Sequence, residues 1–349
     1  MITKRSCSAA IVRCAPLPLV LVALGLCGCG GRSAPGDPFP QAYYRTGFPA
    51  RDVSSQLDRA LEAIKRLQVT ATYETYRFER ADSVTVADIR SSATLARASE
   101  RYSSEQVKLG TGTIVRVRGR EVAMLTNDHV VRVPDTVVIH HREARAGGGR
   151  SAGRTVESVS ILRQTRYLVV GLPEHRPLRV LARDRAHDLA LTAIELLQDP
   201  DPTIGALELP TGDPRRLGWG AFVYVAGYPG GFRMVTRGIV SDPNRGPDAA
   251  FLLDGLFNRG ISGGLILAVR GDTDALELVG LATSAAAQPE YVLLPEVREL
   301  DEEGLLVPYQ GSLYLERVSR LQYGITFSVP TTAVVRFLQG AGIVLRAAN

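Results

Sequence analysis

Three short segments of the sequence carry side chains that together could perform nucleophilic catalysis. They contain His129 in TNDHVV, Asp188 in HDLAL and Ser262 in GISGG. A serine hydroxyl attacks a carbonyl carbon when a base takes its proton and an acid holds that base in the correct tautomer. Each residue alone would fit an ordinary loop or strand end, but the set supplies a nucleophile, a base and an acid. Glycines around the serine would also let backbone N–H groups face a developing oxyanion.

The stretches between these residues have the composition of short β-strands. The gaps of 59 and 74 residues contain β-branched runs separated by Gly, Pro, Asn and Asp. Many short strands with regular turn signals predict an all-β sandwich or barrel. We expect one barrel to carry His129 and Asp188, and a second barrel to carry Ser262. The predicted strands are Thr113–Val117, Val122–Thr126, Thr136–His140, Tyr167–Gly171, Leu178–Leu181, Leu189–Ile194, Ala221–Ala226, Met234–Val240, Leu265–Val269, Leu276–Thr283 and Ile325–Val329.

With these motifs in this order, the sequence resembles the trypsin-like serine peptidases, especially the bacterial HtrA/DegP-like branch. TNDHVV is similar to the histidine motif of that family, DLALTAI to its aspartate motif, and GISGG to its serine motif GNSGG. Three further segments resemble the family around the serine, namely GYPGG, VTRGIVS and GITFSVPTT. The resemblance covers residues 105–340 in outline.

The resemblance implies two antiparallel six-stranded β-barrels of the trypsin-like type with a short C-terminal helix. It implies a serine endopeptidase that works through an acyl-enzyme intermediate, with Ser262 as nucleophile and His129 as general base and then acid. Asp188 would orient the imidazolium, and the N–H groups of Gly260 and Ser262 would form the oxyanion hole. No metal or cofactor is expected, since there is no HExxH motif and no cysteine after Cys29.

Two residues beside Ser262 depart from the family pattern. Ile261 stands where the family has Asn or Asp, and Leu265 replaces the usual Pro. Without a carboxylate at position 261, activation by pairing with a freshly cut amino terminus is not expected. Either change could alter the loop that shapes the oxyanion hole. An alternative function therefore stays open, in which a catalytically idle, protease-like lipoprotein binds peptides or regulates a partner.

Other residues compete for the roles of base and acid. Three histidines are expected to lie on the surface or in loops, and they are His140, His141 and His175. His187 is adjacent to Asp188, so its side chain should point away from the cleft if Asp188 points into it. Asp184 competes with Asp188 but lacks the following Leu-Ala-Leu.

The residues ahead of the nucleophile leave two possibilities for the primary specificity pocket. If Leu256 lines the pocket, it is apolar and accepts a hydrophobic side chain; if Asp254 faces in, it favours a basic one. Two stretches are predicted to be surface insertions, residues 143–154 and 285–311. The second follows the strand expected to pair with substrate and could gate the cleft.

The first 28 residues have the pattern of a lipoprotein signal peptide. Basic residues precede an apolar run at residues 15–26 that is too short to cross a bilayer. The run ends in Leu26-Cys27-Gly28-Cys29, which resembles the lipobox of bacterial lipoproteins. The resemblance implies cleavage after Gly28, a lipid on Cys29, and an exported protein anchored to the cell envelope.

The rest of the chain is predicted to contain three further parts. Residues 29–50 read as a flexible tether because they are rich in Gly, Pro and Ser. Residues 51–104 begin with an amphipathic helix at Asp52–Leu67 and continue as an extension of uncertain structure. Residues 105–345 are expected to form the peptidase domain, with barrels near 105–205 and 206–330 and a helix at Thr331–Leu338. No PDZ domain is expected after that helix.

The charge and the cysteine content limit the classes of partner that the protein is expected to bind. Removing Lys4, Arg5 and Arg13 with the signal lowers the formal net charge from +5 to +2, and no basic stripe interleaved with aromatics remains. Nucleic acid is therefore not expected as a partner. All four cysteines lie within the first 29 residues, so the exported domain has no disulfide. The expected partners are a protein or peptide substrate and, through the lipid, a membrane.

Overall fold

The computed structural model describes residues 43–48, 51–141, 155–255, 258–295 and 313–347, with side chains for all of these except 284–295 and 313–324. The chain from Ala42 onward forms one compact unit. In the described part, two antiparallel β-sheets carry most of the residues, and four α-helices flank them.

The first sheet contains seven strands and carries the His129 and Asp188 segments. The strands are β1 (Ile64–Arg77), β2 (Glu100–Arg118), β3 (Glu121–Thr126), β4 (Thr136–His140), β5 (Val156–Val170), β6 (Arg179–Asp184) and β7 (Leu189–Glu195). Their order is β4-β5-β1-β2-β3-β7-β6. This half differs from the six-stranded barrel expected, because β1 pairs with both β2 and β5 and adds a strand. The edge strands β4 and β6 are not neighbours in the described structure.

The second sheet is a closed barrel of six strands and carries the Ser262 segment. The strands are β8 (Phe222–Gly227), β9 (Met234–Arg245), β10 (Ala250–Asp254), β11 (Leu265–Val269), β12 (Leu276–Pro295) and β13 (Leu313–Pro330). Their order around the barrel is β10-β13-β12-β11-β8-β9. The predicted all-β class with two barrel-like halves and a short C-terminal helix is confirmed.

The helices are short and lie at the ends and connections of the sheets. They are α1 (Ser54–Ala63), α2 (Ser92–Leu95), α3 (Asp128–Val131) and α4 (Thr331–Gly340). Single 3-10 turns occur at Arg80–Asp82, Asp88–Arg90, Pro214–Arg216 and Pro229–Gly231. The predicted C-terminal helix is confirmed as α4. In the described residues no helix is long and apolar enough to cross a bilayer.

The predicted helix Asp52–Leu67 was too long at its C-terminal end. Helix α1 ends at Ala63, and Ile64 begins β1. Ile64 and Leu67 fit the helical spacing, but the buried positions alternate from Leu67 onward, as in a strand. Pairing on both sides, with β2 and β5, outweighs the local helical pattern. Gly112 on β2 leaves room for the Leu67 side chain, because a Cβ on residue 112 would lie 3.0 Å from Leu67 Cδ1.

Part of the segment expected to be a tether belongs to the folded unit. Tyr44 is 1% exposed, its hydroxyl donates to Glu277 at 2.9 Å, and the backbone N–H of Arg45 donates to Val269 on β11. The expectation for residues 29–42 and 49–50 lies outside the described residues. The insertion predicted at 285–311 begins instead as an extension of β12, which pairs with β13 as far as Pro295. The insertion predicted at 143–154 and residues 296–311 also lie outside.

One core cluster joins the two halves and so fixes the loops that carry the candidate residues. It draws buried side chains from α1, both sheets and α4, among them Ala60, Leu125, Leu191, Leu265, Leu281 and Val334. Burial of apolar surface contributes about 25 cal/mol per Å². The loops at this junction therefore rest on a shared apolar layer.

Candidate active site

Strand pairing brings His129 and Asp188 together. Strand β3 runs antiparallel to β7, and Thr126 pairs with Ala190. The C-terminal end of β3 therefore lies beside the N-terminal end of β7. His129 follows β3 within the single turn of α3, and Asp188 immediately precedes β7. Residues that are 59 positions apart in sequence thus become neighbours.

The imidazole of His129 and the carboxylate of Asp188 form a close pair. Nδ1 of His129 lies 2.6 Å from Oδ2 of Asp188, and the backbone N–H of His129 donates to Oδ1 at 2.9 Å. The backbone carbonyl of Asp188 accepts from the side chain of Asn127 at 2.9 Å and from the N–H of Asp128 at 3.1 Å. With Nδ1 held by Asp188, Nε2 is the nitrogen of His129 available to take a proton.

The surroundings of Asp188 favour its charged form. Burial alone would raise the pKa of Asp188, but hydrogen bonds from His129 and Thr283 outweigh burial and hold that pKa below 3.8. Asp188 has φ of +54°, a left-handed conformation that costs a non-glycine residue roughly 1–2 kcal/mol. The hydrogen bonds to its side chain and carbonyl offset that cost.

Ser262 is positioned by the strand that follows it. Strand β11 pairs with β12, with Leu265 opposite Leu281, and the N–H of Gly263 donates to Ala282 at 2.8 Å. Gly263 has φ of +85°, and a Cβ there would collide with the carbonyl oxygen of Thr111. Only glycine fits this turn, which presents Ser262 at the junction of the two halves.

A side chain that sequence analysis did not single out, Thr283, links the three candidate catalytic residues. Its hydroxyl donates to Oδ2 of Asp188 at 2.7 Å, and its carbonyl accepts from the Ser262 hydroxyl at 2.8 Å. Ser262 therefore donates to Thr283 in this structure, and no hydrogen bond joins it to His129 in the described part. Thr283 ends the predicted strand Leu276–Thr283, and nothing in the sequence around it predicts these contacts.

Two backbone donors beside Ser262 are open. The carbonyl of Arg259 accepts from the N–H of Gly230 at 2.7 Å, so the Arg259–Gly260 peptide directs its N–H the opposite way. Within the described residues, neither the N–H of Gly260 nor that of Ser262 has a hydrogen-bond acceptor. These two N–H groups are the ones expected to form an oxyanion hole, and both are free to donate to an oxyanion.

Thr111 on β2 holds the serine loop from the other half of the molecule, and sequence analysis also missed it. Its side chain is buried, its hydroxyl donates to the carbonyl of Gly260 at 2.8 Å, and the same oxygen accepts from the N–H of Tyr228 at 2.9 Å. Its backbone N–H donates to the carbonyl of Ser262 at 2.8 Å. In the sequence, the segment GTGT shows only one threonine on each side of Gly112, and nothing in that pattern predicts this role.

The two departures from the family pattern are accommodated by packing. Ile261 is 4% exposed and lies in the apolar core of the barrel. Its Cδ1 lies 2.7 Å from where a Cβ of residue 227 would be, and glycine at 227 leaves that space. Leu265 is fully buried in β11. Neither side chain fills the space in front of the open N–H groups of Gly260 and Ser262, because both point into the core.

The competing residues are engaged elsewhere. Nδ1 of His187 lies 2.6 Å from Oδ2 of Asp184, so this pair is separate from the pair of His129 and Asp188. His187 and Asp188 line one cavity together, so the expectation that their side chains point in opposite directions stays a prediction. His175 Nδ1 contacts the carbonyl of Arg176 at 3.0 Å in an exposed loop.

Of the residues expected to determine specificity or lipidation, the structure describes only Asp254. Leu256 lies outside the described residues, as does Cys29. Asp254 is exposed at the end of β10. No cluster of three or more His, Cys, Asp or Glu side chains suited to a metal occurs in the described chain.

Comparison with known proteins shows what this chain is similar to. A solved variant of the HtrA-type protease AlgW with a tripeptide is 18% identical, with a TM-score of 0.41, over 83% of this chain and 63% of that one. A variant of the same protease with a decapeptide is also 18% identical, with a TM-score of 0.43, over 84% and 68%. The chain thus spans less than two thirds of the first of these structures. No curated protein matches. Residues 110–281 match the family model of the trypsin-like peptidase domain. Over these residues the chain is therefore similar to trypsin-like peptidase domains.

Proposed function

We propose that the protein is a serine endopeptidase in which His129, Asp188 and Ser262 act as the catalytic triad. Ser262 attacks the scissile carbonyl after His129 Nε2 takes its proton, and Asp188 stabilises the resulting imidazolium. The N–H groups of Gly260 and Ser262 bind the oxyanion. His129 then returns the proton to the leaving amine, and water hydrolyses the acyl-enzyme by the same steps.

The observation that carries the proposal is the connected set of hydrogen bonds around Thr283. Its hydroxyl contacts the Asp188 carboxylate, which is paired with His129, and its carbonyl contacts the Ser262 hydroxyl. The three residues thus meet around Thr283 of β12, beside two N–H donors without acceptors in the described structure. A structural role alone gives no reason to leave those donors without acceptors.

The hydroxyl of Ser262 must turn from Thr283 to His129 before attack. This change is a rotation about one side-chain bond between staggered positions, which is inexpensive. Hydrogen bonds between nucleophile and base are often absent without substrate and form in the complex. The contact of Ser262 with Thr283 is therefore compatible with a resting enzyme.

The place of action that the sequence supports is the cell envelope. The signal pattern of residues 1–28 and the lipobox ending at Cys29 support export and lipid anchoring. A peptidase held there would act on exposed or misfolded proteins of that compartment. Cys29→Ala should abolish incorporation of labelled palmitate, and Cys27→Ala serves as the matched control that keeps it. Equal incorporation in the Cys29 variant would remove the anchor from the proposal.

Peptide-bond hydrolysis tests the function itself. The detergent-solubilised full chain is incubated with casein, and mass spectrometry identifies the fragments. We expect cleavage that is lost in Ser262→Ala and kept in Ser103→Ala, which removes an exposed hydroxyl far from the triad. Fragments that appear equally with Ser262→Ala would come from another protease and would contradict the proposal.

A second function is favoured by one observation, the donation of the Ser262 hydroxyl to Thr283 rather than to His129. If that contact is permanent, the protein is an idle, protease-like module that binds peptides in its cleft. In that case casein peptides bind to the wild-type chain and to Ser262→Ala with equal affinity, and neither protein cleaves them.

A further inference from the structure

His187 makes two contacts that the proposed reaction does not use. Its Nδ1 lies 2.6 Å from Oδ2 of Asp184, and its Nε2 lies 3.0 Å from Oδ2 of Asp248. The backbone N–H of His187 also donates to Asp184 at 3.2 Å. Both ring nitrogens of one histidine therefore face a carboxylate.

This arrangement requires a charged imidazole ring. A neutral imidazole has one N–H and one lone pair, so it can donate to only one of the two carboxylates. The imidazolium donates from both nitrogens. Hydrogen bonds to Asp184 first, and to Asp248 second, raise the pKa of His187 above 6.5, in agreement with the geometry.

The contacts join the two halves of the molecule. Asp184 ends β6 in the first sheet, whereas Asp248 lies in the turn between β9 and β10 of the barrel. Asp248 is held in turn by α4, because Arg336 donates to its side chain at 2.7 Å and Thr332 to its carbonyl at 2.6 Å. We call His187, Asp184, Asp248 and Arg336 the His187 clamp.

The charges of the clamp balance only when His187 is protonated. Two carboxylates, Asp184 and Asp248, face one guanidinium, Arg336, and one imidazole. Loss of the proton leaves a net negative charge and points a lone pair at one of the carboxylates. Two other charged residues line the adjoining cavity, Asp188 of the candidate triad and Arg245, which is paired with Asp242 at 2.7 Å.

The clamp borders the candidate triad. His187 immediately precedes Asp188, and both side chains line a cavity of about 290 Å³ that Thr283 and Asp248 also line. The turn from Asp184 to Asp188 places Asp188 in its left-handed conformation. Whatever fixes His187 in this turn also fixes the backbone from which the Asp188 carboxylate projects.

We propose that His187 is a positioning residue, whose protonated ring ties the Asp188 turn to the barrel and so couples the triad to pH. The part of this inference that concerns catalysis rests on the proposed function. Activity then needs a neutral His129 and a protonated His187 together. It should fall as pH rises through the pKa of His187 and the clamp opens.

The first experiment measures the clamp without catalysis. In full-length Ser262→Ala, the free energy of unfolding in urea is compared with that of the same chain carrying His187→Gln. Because the folded pKa of His187 is raised, its stabilising contribution is complete below pH 6.5 and is lost as pH rises through the folded pKa. The difference between the two proteins should therefore be largest below pH 6.5 and shrink as pH rises through the folded pKa of His187. A difference that is the same at all pH values would overturn the clamp.

The second experiment measures the coupling to the triad in chains that keep Ser262. We expect His187→Gln to lower kcat at neutral pH by about tenfold, the effect of one lost charge-assisted hydrogen bond, with KM nearly unchanged. It should also remove the alkaline fall of kcat. His187→Arg, which stays charged, should restore kcat and lack the alkaline fall, and His175→Gln, in a loop outside the clamp, should behave as wild type.

The two experiments separate the possible failures. An alkaline fall of kcat that is unchanged in His187→Gln would overturn the positioning role even if the clamp titrates. Absence of activity in every chain would refute the proposed function, and the urea experiment would still decide whether the clamp exists.

Discussion

Removal of the buried hydroxyl of Thr111 should lower both the free energy of unfolding and kcat. This hydroxyl bridges two connecting segments of the barrel half, as donor to the Gly260 carbonyl at 2.8 Å and acceptor from the Tyr228 N–H at 2.9 Å. Valine has the same shape as threonine and lacks the hydroxyl. Thr111→Val therefore opens no cavity, but it leaves a buried carbonyl and a partly buried N–H without partners.

The expected loss follows from the cost of unpaired polar groups. Each buried group left unsatisfied costs about 1–3 kcal/mol, so two should lower the free energy of unfolding by about 2–6 kcal/mol. The Gly260 carbonyl loses its hydrogen bond from Thr111, while the Arg259 carbonyl keeps its hydrogen bond from the N–H of Gly230. Since removal of a complete oxyanion donor costs about 10²–10³ in kcat, a loosened one should cost roughly 10–100-fold.

Urea unfolding and steady-state peptide hydrolysis measure the two effects. Thr111→Ser is the matched control, because it keeps the hydroxyl and loses only a methyl group. We expect its stability and kcat to stay close to those of wild type. If Thr111→Val unfolds at the same urea concentration as Thr111→Ser and hydrolyses peptide at the same rate, the hydroxyl does not hold the serine loop and the reasoning fails.

Three further changes test other contacts of the site. Thr283→Val removes the hydroxyl bond that helps to lower the pKa of Asp188, so that pKa should rise toward its ordinary value in acid titrations of stability, while Thr283→Ser leaves it in place; the same pKa in both variants would argue against the contact. The folded pKa of Asp188 is held below 3.8, so its charge stabilises the fold above that pH and the contribution is lost as pH falls through the folded value. The stability difference between wild type and Asp188→Asn should therefore shrink from about pH 5 to about pH 2 in acid titrations, and a constant difference would refute the assignment. Gly227→Ala should destabilise by about 1–3 kcal/mol in thermal unfolding, because its Cβ would lie 2.7 Å from Ile261 Cδ1, and the shorter side chain of Ile261→Val should recover part of the loss if that contact is the cause.

The sequence predicted those parts of the fold that local patterns determine. β-branched runs between turn residues marked most strands of both sheets, and the boundaries of Thr136–His140 and Leu265–Val269 agree with the structure. The end of α1 could not be predicted, because Ile64 and Leu67 continue a helical spacing that only pairing with two distant strands overrides. Strand β10, Ala250–Asp254, was not marked.

The residues of the candidate site also fall into those that local motifs predict and those whose contacts form only in the folded chain. His129, Asp188 and Ser262 were found because their chemistry and the motifs around them can be read residue by residue. Thr111 and Thr283 act through a hydroxyl and backbone groups that meet only after the sheets form. The engagement of His187 by Asp248 was equally hidden, since it depends on a turn 61 residues away.

Reaction of Ser262 with a fluorophosphonate tests the central claim most directly, because the probe bonds covalently only to a serine that a base activates. The full chain would be treated beside Ser262→Ala and His129→Ala, and mass spectrometry would locate the adduct. The account predicts stoichiometric labelling at Ser262 in the wild-type chain and none at that position in either variant. A folded wild-type chain that stays unlabelled, or labelling of Ser262 that survives the loss of His129, would contradict it.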